Sequence, residues 1–122
     1  MQNSKYKNQY SFFEQRLLSI QSGFYINIKE ILDIANSLGF TLPYKSRELT
    51  LQKLFILSKE QKLNHKLSTL LLELIEQRKQ EYTSFYNHYG HTKHLLSSLL
   101  QQLQATKMLV IKELHVRNIS DE

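Results

Sequence analysis

Only three glycines and one proline occur among the 122 residues of the chain. A β-sandwich or β-barrel needs many tight turns, and such turns draw on glycine and proline. The apolar residues add to this constraint, because 22 are leucine and nine are isoleucine, whereas only two are valine. Leucine keeps most of its rotamer freedom in a helix, while valine is stiff there and favours strands. The sequence therefore predicts an all-α fold, without strands, in which helix exceeds about 70% of the residues.

Start and stop signals divide the chain into helices. Ser11–Glu14 and Asn27–Glu30 both read as capping boxes, in which the first and last side chains accept hydrogen bonds from free backbone N–H groups. Gly23 and Gly39 follow one helix length later, where glycine readily forms a left-handed helix stop. We expect the first helix over about residues 11–22. Between Ile28 and Leu38 the apolar residues keep the helical period, and they predict the second helix.

The rest of the chain is expected to form two or three longer helices. Ser46 is predicted to cap a helix that ends near Gln61 and is apolar over more than one face. Asn64 is the next cap candidate, and its helix runs towards Gly90. Gly90 either breaks the chain into two helices, which we favour, or lies inside one rod about 75 Å long. With a break, a further helix extends to about residue 116.

These elements predict an all-α bundle of four to five helices, with up-and-down neighbours joined by short turns. The expected domain is a single one, 1–122, with frayed ends at 1–10 and 118–122.

Several classes of function lack the residues that they need. The sequence has no cysteine, so disulfides, cysteine-ligated zinc and thiol catalysis are excluded. It also contains neither a glycine-rich phosphate loop nor a serine flanked by elbow glycines, and we expect no enzyme activity and no cofactor. There is no secretory signal pattern and no stretch of 18 uncharged apolar residues, so the sequence predicts a cytoplasmic protein without membrane contact.

A formal net charge of +5 raises the question of nucleic-acid binding. The charge is spread along the chain rather than gathered in an arm, and twelve of the sixteen basic residues are lysine. Residues 34–47 nevertheless resemble the first helix and turn of a helix-turn-helix unit, with Lys45, Arg47 and Lys53 placed to meet phosphates or bases. Lys45 and Pro43 depart from that pattern. The segment 28–61 is therefore either a DNA reader or two core helices joined by a proline turn.

An aromatic stripe lies near the end of the predicted fourth helix, at Tyr82, Phe85, Tyr86 and Tyr89. This spacing is typical of core packing, but tyrosine is also enriched at interface hot spots. The stripe therefore predicts either the edge of the core or a partner surface. Because the last two helices are apolar over more than one face, we expect a homodimer or an exposed apolar groove.

Three histidines, His88, His91 and His94, are spaced three apart. Such spacing on one helix allows two imidazoles to reach one metal ion, although a break at Gly90 would separate them. We predict no metal site. If the chain binds a metal ion, these three histidines are the candidate ligands.

The preferred functional prediction is a small cytoplasmic protein-interaction module, such as an adaptor, a chaperone-like binder or a regulator, that uses an apolar groove or helix face. The alternative is a nucleic-acid-binding regulator that uses Lys45, Arg47 and Lys53. A metal- or small-molecule-binding bundle is the third hypothesis.

Overall fold

The computed structural model describes residues 12–19, 22–88 and 93–116. Helix accounts for 80% of these residues, and none of them lies in a strand, which confirms the predicted all-α bundle. The helices are α1 (Phe12–Leu18), α2 (Ile28–Ser37), α3 (Arg47–Glu60), α4 (Asn64–Asn87) and α5 (Lys93–Val110), and a π-helical segment over Ile111–Val116 continues α5. The predicted frayed ends, 1–10 and 118–122, lie outside the described residues.

The second helix begins and ends as its sequence signals predict. The Asn27 side chain accepts a hydrogen bond from the Glu30 backbone N–H at 2.8 Å, and the Glu30 carboxylate accepts one from the Asn27 N–H at 3.0 Å. At the other end Gly39 has φ +91°, and the Phe40 N–H donates to the Ala35 carbonyl at 2.8 Å. Both ends of α2 therefore satisfy backbone groups that a free helix leaves open.

The third helix begins at the predicted cap and ends at Glu60, beside the predicted end near Gln61. Ser46 accepts a hydrogen bond from the Leu49 N–H at 3.2 Å. Lys62 has φ +58°, and the next N–H, that of Leu63, donates to the Ser58 carbonyl at 2.7 Å. Lys62 thus fills the left-handed position that glycine usually takes.

Asn64 was predicted to cap the fourth helix, and that prediction is wrong. Leu63 occupies the cap position without a side-chain hydrogen bond, and Asn64 is already helical. The physical reason is the short connection, since the same Leu63 N–H closes the end of α3.

The first helix is shorter than predicted, because it ends at Leu18. Gly23 is left-handed, with φ +71°, but it lies beyond that end and packs against the backbone of α5. The predicted cap Ser11 lies outside the described residues.

The last two helices do not form one rod. α4 ends at Asn87, where the His88 N–H caps it, and α5 packs back against α4. A break between residues 87 and 93 is thereby confirmed, while Gly90 itself falls in the part of the chain that is not described.

The core draws on every helix and on the chain between α1 and α2. Its fully buried members include Leu17, Phe24, Ile31, Leu54 and Leu71. Phe13 of α1 stacks on Phe55 of α3 with ring centroids 5.2 Å apart. Because α3 turns Leu51 and Leu54 into this core, residues on its opposite side face outwards.

Candidate protein-binding surface

The connector, defined as residues 22–27 between α1 and α2, anchors the bundle. Its residues Ser22, Phe24 and Ile26 are fully buried, which is unusual for a connecting segment because buried backbone carbonyls need partners. Side chains of three helices supply those partners: Thr106 donates to the Ser22 carbonyl, Tyr82 to that of Gly23, Arg78 to that of Phe24 and Arg47 to that of Ile26. The connector therefore fixes α3, α4 and α5 relative to one another.

An ion pair reinforces this anchor. The Arg78 guanidinium also binds the carboxylate of Glu30, which forms the α2 capping box with Asn27. Burial lowers the pKa of Arg78, but the hydrogen bond and the negative charge of Glu30 outweigh burial, so the pKa lies above its usual value. Burial also raises the pKa of Tyr82, despite the opposing positive charge of Arg78. Arg78 is thus a charged structural group, and Tyr82 is held as a neutral donor.

Arg47, a candidate for nucleic-acid contact in the sequence, faces the protein. Its guanidinium donates to the Ile26 carbonyl and, at 2.8 Å, to the Leu18 carbonyl. It also lies 4.3 Å from the centroid of the Tyr25 ring. Two of the five guanidinium N–H donors are thus used on backbone carbonyls, and the face of the group lies against the Tyr25 ring. Lys45 and Lys53, the other two candidates, are exposed.

A concave apolar surface lies on the outer side of α3. We call it the α3 groove. It encloses a cavity of about 240 Å³. Its lining consists of Leu42, Pro43, Lys45, Leu49, Thr50, Gln52, Lys53 and Ile56.

Two large aliphatic side chains form the open part of this groove. Leu49 is 45% exposed and Ile56 is 44% exposed, two helical turns apart on the same face of α3. The turn that contains Leu42 and Pro43 forms the opposite wall. Half-exposed aliphatic residues that share a concavity are typical of a surface that becomes buried on binding.

The groove is positively charged. Lys45 precedes the α3 cap, and Lys53 lies between Leu49 and Ile56 on the same face of α3. These two lysines are the only ionisable side chains among the described lining residues, which include no carboxylate. The groove is therefore an apolar surface that carries two cations.

The aromatic stripe does not form one surface. Tyr82 is half-buried against the core, and its hydroxyl lies 2.7 Å from the Gly23 carbonyl, as in the core interpretation. Phe85 is 59% exposed and contacts the half-buried Tyr86 edge to face, with centroids 5.0 Å apart. Tyr89 lies outside the described residues. Of the four predicted partner-binding residues, Phe85 alone is an exposed large hydrophobic residue among those that the structure describes.

Two of the three histidine candidates, His88 and His94, lie among the described residues. His88 caps α4 and its Nδ1 lies 3.2 Å from the Ser84 carbonyl, whereas His94 belongs to the first turn of α5. His91 is not among the described residues. Within 12–19, 22–88 and 93–116, no three His, Asp or Glu side chains are placed to hold one metal ion.

Sequence reasoning missed the groove although a signal for it was present. The third helix is apolar over more than one face, and a helix that only covers a core needs a single apolar stripe. Leu51 and Leu54 fill that stripe, which leaves Leu49 and Ile56 without a place in the core. The surplus apolar residues of α3 therefore pointed to an outward-facing surface.

No protein-family model, curated protein or solved structure matches this chain. None of the helices in the described part of the chain is long and apolar enough to cross a membrane.

Proposed function

We propose that this chain is a protein-interaction module that binds another protein through the α3 groove. The observation that carries the proposal is the exposure of Leu49 and Ile56, two turns apart, along one apolar concavity. Full burial of such a side chain contributes about 1.5–3 kcal/mol, so covering the exposed half of both contributes about 2 kcal/mol. That amount makes the groove a suitable energetic centre for an interface.

The size of the cavity supports a macromolecular ligand. Small-molecule sites usually enclose roughly 300–1,000 Å³ and bury most of their ligand. At about 240 Å³ and open along α3, the groove is smaller than that range. It suits one or two apolar side chains of a larger partner.

The nucleic-acid hypothesis has less support. A DNA reader on α3 would need Arg47, and the guanidinium of Arg47 is bound to the Ile26 and Leu18 carbonyls. We therefore rank protein binding above nucleic-acid binding.

Site-specific photo-crosslinking in the cells that naturally express this protein tests the proposal. A photo-crosslinking residue replaces Gln52 in the groove or, as a control, the exposed Ala105 on α5. We expect a discrete adduct with one protein from position 52 only, which disappears when Leu49→Ser is added. The adducted protein is then purified and its binding to the chain is reproduced.

Two results would contradict the proposal. One is an equal adduct pattern from positions 52 and 105. The other is an adduct at position 52 that survives Leu49→Ser, because the apolar floor would then be irrelevant to the contact.

A further inference from the structure

We infer that the α3 groove accepts an amphipathic helix of another protein whose apolar stripe is flanked by acidic residues. This inference rests on the proposed function and specifies the chemistry of the partner at the same site.

The charge of the groove selects an acidic segment. Lys45 and Lys53 both line the groove, both are exposed, and no lining residue is acidic. Glu48 lies next to Leu49 in the chain but does not line the groove. A partner with carboxylates beside its apolar residues gains two attractive pairs, whereas a basic partner meets like charges at the same positions.

The backbone around the groove is compatible with a bound helix. The N–H and C=O groups of α3 already bond within the helix, whereas the opposite wall, residues 41–46, is not helical. A helix satisfies its own backbone and needs no backbone partner from either wall. This is the helix-in-groove mode of recognition, rather than strand addition.

The length of the groove fits such a helix. Leu49 and Ile56 lie seven residues apart, which corresponds to about 10 Å along α3. A partner helix with apolar residues at positions i, i+3, i+4 and i+7 spans the same distance. Its side chains at i+3 and i+4 then lie beside Gln52 and Lys53, which line the groove between Leu49 and Ile56.

Three synthetic helical peptides test the inference with the full-length chain. All three carry leucine at i, i+3, i+4 and i+7, and the flanking positions are glutamate, glutamine or lysine. Binding is followed by amide chemical shifts of residues 42–56 in nuclear magnetic resonance spectra. We expect the glutamate peptide to bind about tenfold more tightly than the lysine peptide, and the gap to shrink in 1 M salt, where the screening length falls to about 3 Å.

Charge reversal provides the matched comparison. Lys45→Glu combined with Lys53→Glu should invert the preference in favour of the lysine peptide. Lys79→Glu combined with Lys107→Glu changes the net charge equally at two exposed lysines outside the groove and should leave the preference in place.

Three outcomes would overturn the inference. In the first, the glutamate peptide produces no shift in residues 42–56 at millimolar concentration. In the second, the three peptides bind equally, or both charge-reversed variants behave alike. In the third, a 20-base-pair DNA duplex displaces the glutamate peptide at a similar concentration. The crosslinking experiment does not use these peptides. If the peptides show no charge preference, the acidic-helix inference fails, while binding of a protein through the α3 groove is still tested by the crosslinking result.

Discussion

Replacing Gly23 with alanine should destabilise the fold strongly, and Gly39 provides the matched control. Both glycines adopt a left-handed backbone, with φ +71° and +91°. That conformation costs an alanine about 1–2 kcal/mol, and the loss of glycine's freedom in the unfolded chain returns about 0.4–1 kcal/mol. The backbone contribution is thus similar at the two positions, and their surroundings decide the difference.

Those surroundings differ sharply. A Cβ atom at position 23 would lie 3.0 Å from the Gln102 Cβ and 3.2 Å from both the Leu103 nitrogen and the Leu99 oxygen. Two of these neighbours belong to the backbone of α5, so the steric clash with the added Cβ atom is relieved only if α5 shifts. Such overpacking typically costs about 1–3 kcal/mol. At position 39 nothing lies within 4 Å of the added atom.

We therefore expect Gly39→Ala to lower the free energy of unfolding by at most about 1.5 kcal/mol, and Gly23→Ala to lower it by about 2–4 kcal/mol. Urea unfolding followed by far-ultraviolet circular dichroism measures both variants. Equal losses at the two positions would refute the close packing of the connector against α5.

Three further substitutions test the anchoring of the connector and the core. Thr106→Val should cost about 1–3 kcal/mol in urea unfolding, because a buried carbonyl loses its donor, whereas Thr69→Val on the exposed face of α4 should change stability by less than about 0.5 kcal/mol. The pKa of Tyr82 is raised in the folded protein. Its contribution to the free energy of unfolding is therefore fully present below the ordinary tyrosine pKa of about 10, and it is lost as the pH rises through the higher pKa of the folded state. Tyr82→Phe should accordingly reduce stability at pH 7 and make the fall above pH 10 shallower; an unchanged slope would contradict this. Ser58→Ala should be neutral or stabilise the fold by up to about 1 kcal/mol, because the buried Ser58 hydroxyl has no hydrogen-bond partner, and a clear loss in thermal melts would show otherwise.

Local signals in the sequence predicted most helix boundaries. The capping box at Asn27, the stop at Gly39 and the cap at Ser46 depend on residues within four positions, so a local pattern contains them. The end of α3 was also predicted, since the helix stops at Glu60, one residue before Gln61. The sequence did not signal the left-handed conformation of Lys62 beyond that end, after which Leu63 rather than Asn64 occupies the cap position of α4.

Long-range contacts could not be read from local patterns. Arg47 bonds to Leu18 across 29 positions, and Thr106 bonds to Ser22 across 84. Nothing near Arg47 in the sequence distinguishes a structural guanidinium from one that faces a phosphate. The buried connector could not be recognised from the sequence, because the side chains that donate to its carbonyls come from distant parts of the chain.

The expected homodimer stays a prediction, and sedimentation of the full-length chain measures it. Phe85 is the exposed member of the aromatic stripe, so Phe85→Ala is the variant that should weaken self-association if the stripe contributes to it. If the helical content of the Phe85→Ala variant falls as well, Phe85 stabilises the fold rather than a dimer interface.

The most direct measurement of the central proposal is a pair of affinities for the crosslinked partner after its purification. One variant combines Leu49→Ser with Ile56→Ser in the groove, and the control combines Leu95→Ser with Met108→Ser, which are similarly exposed on α5. Calorimetric titration should show binding weakened about thirtyfold in the groove variant, from the loss of about 2 kcal/mol, and nearly unchanged in the control. Equal affinities for the two variants would contradict binding through the α3 groove.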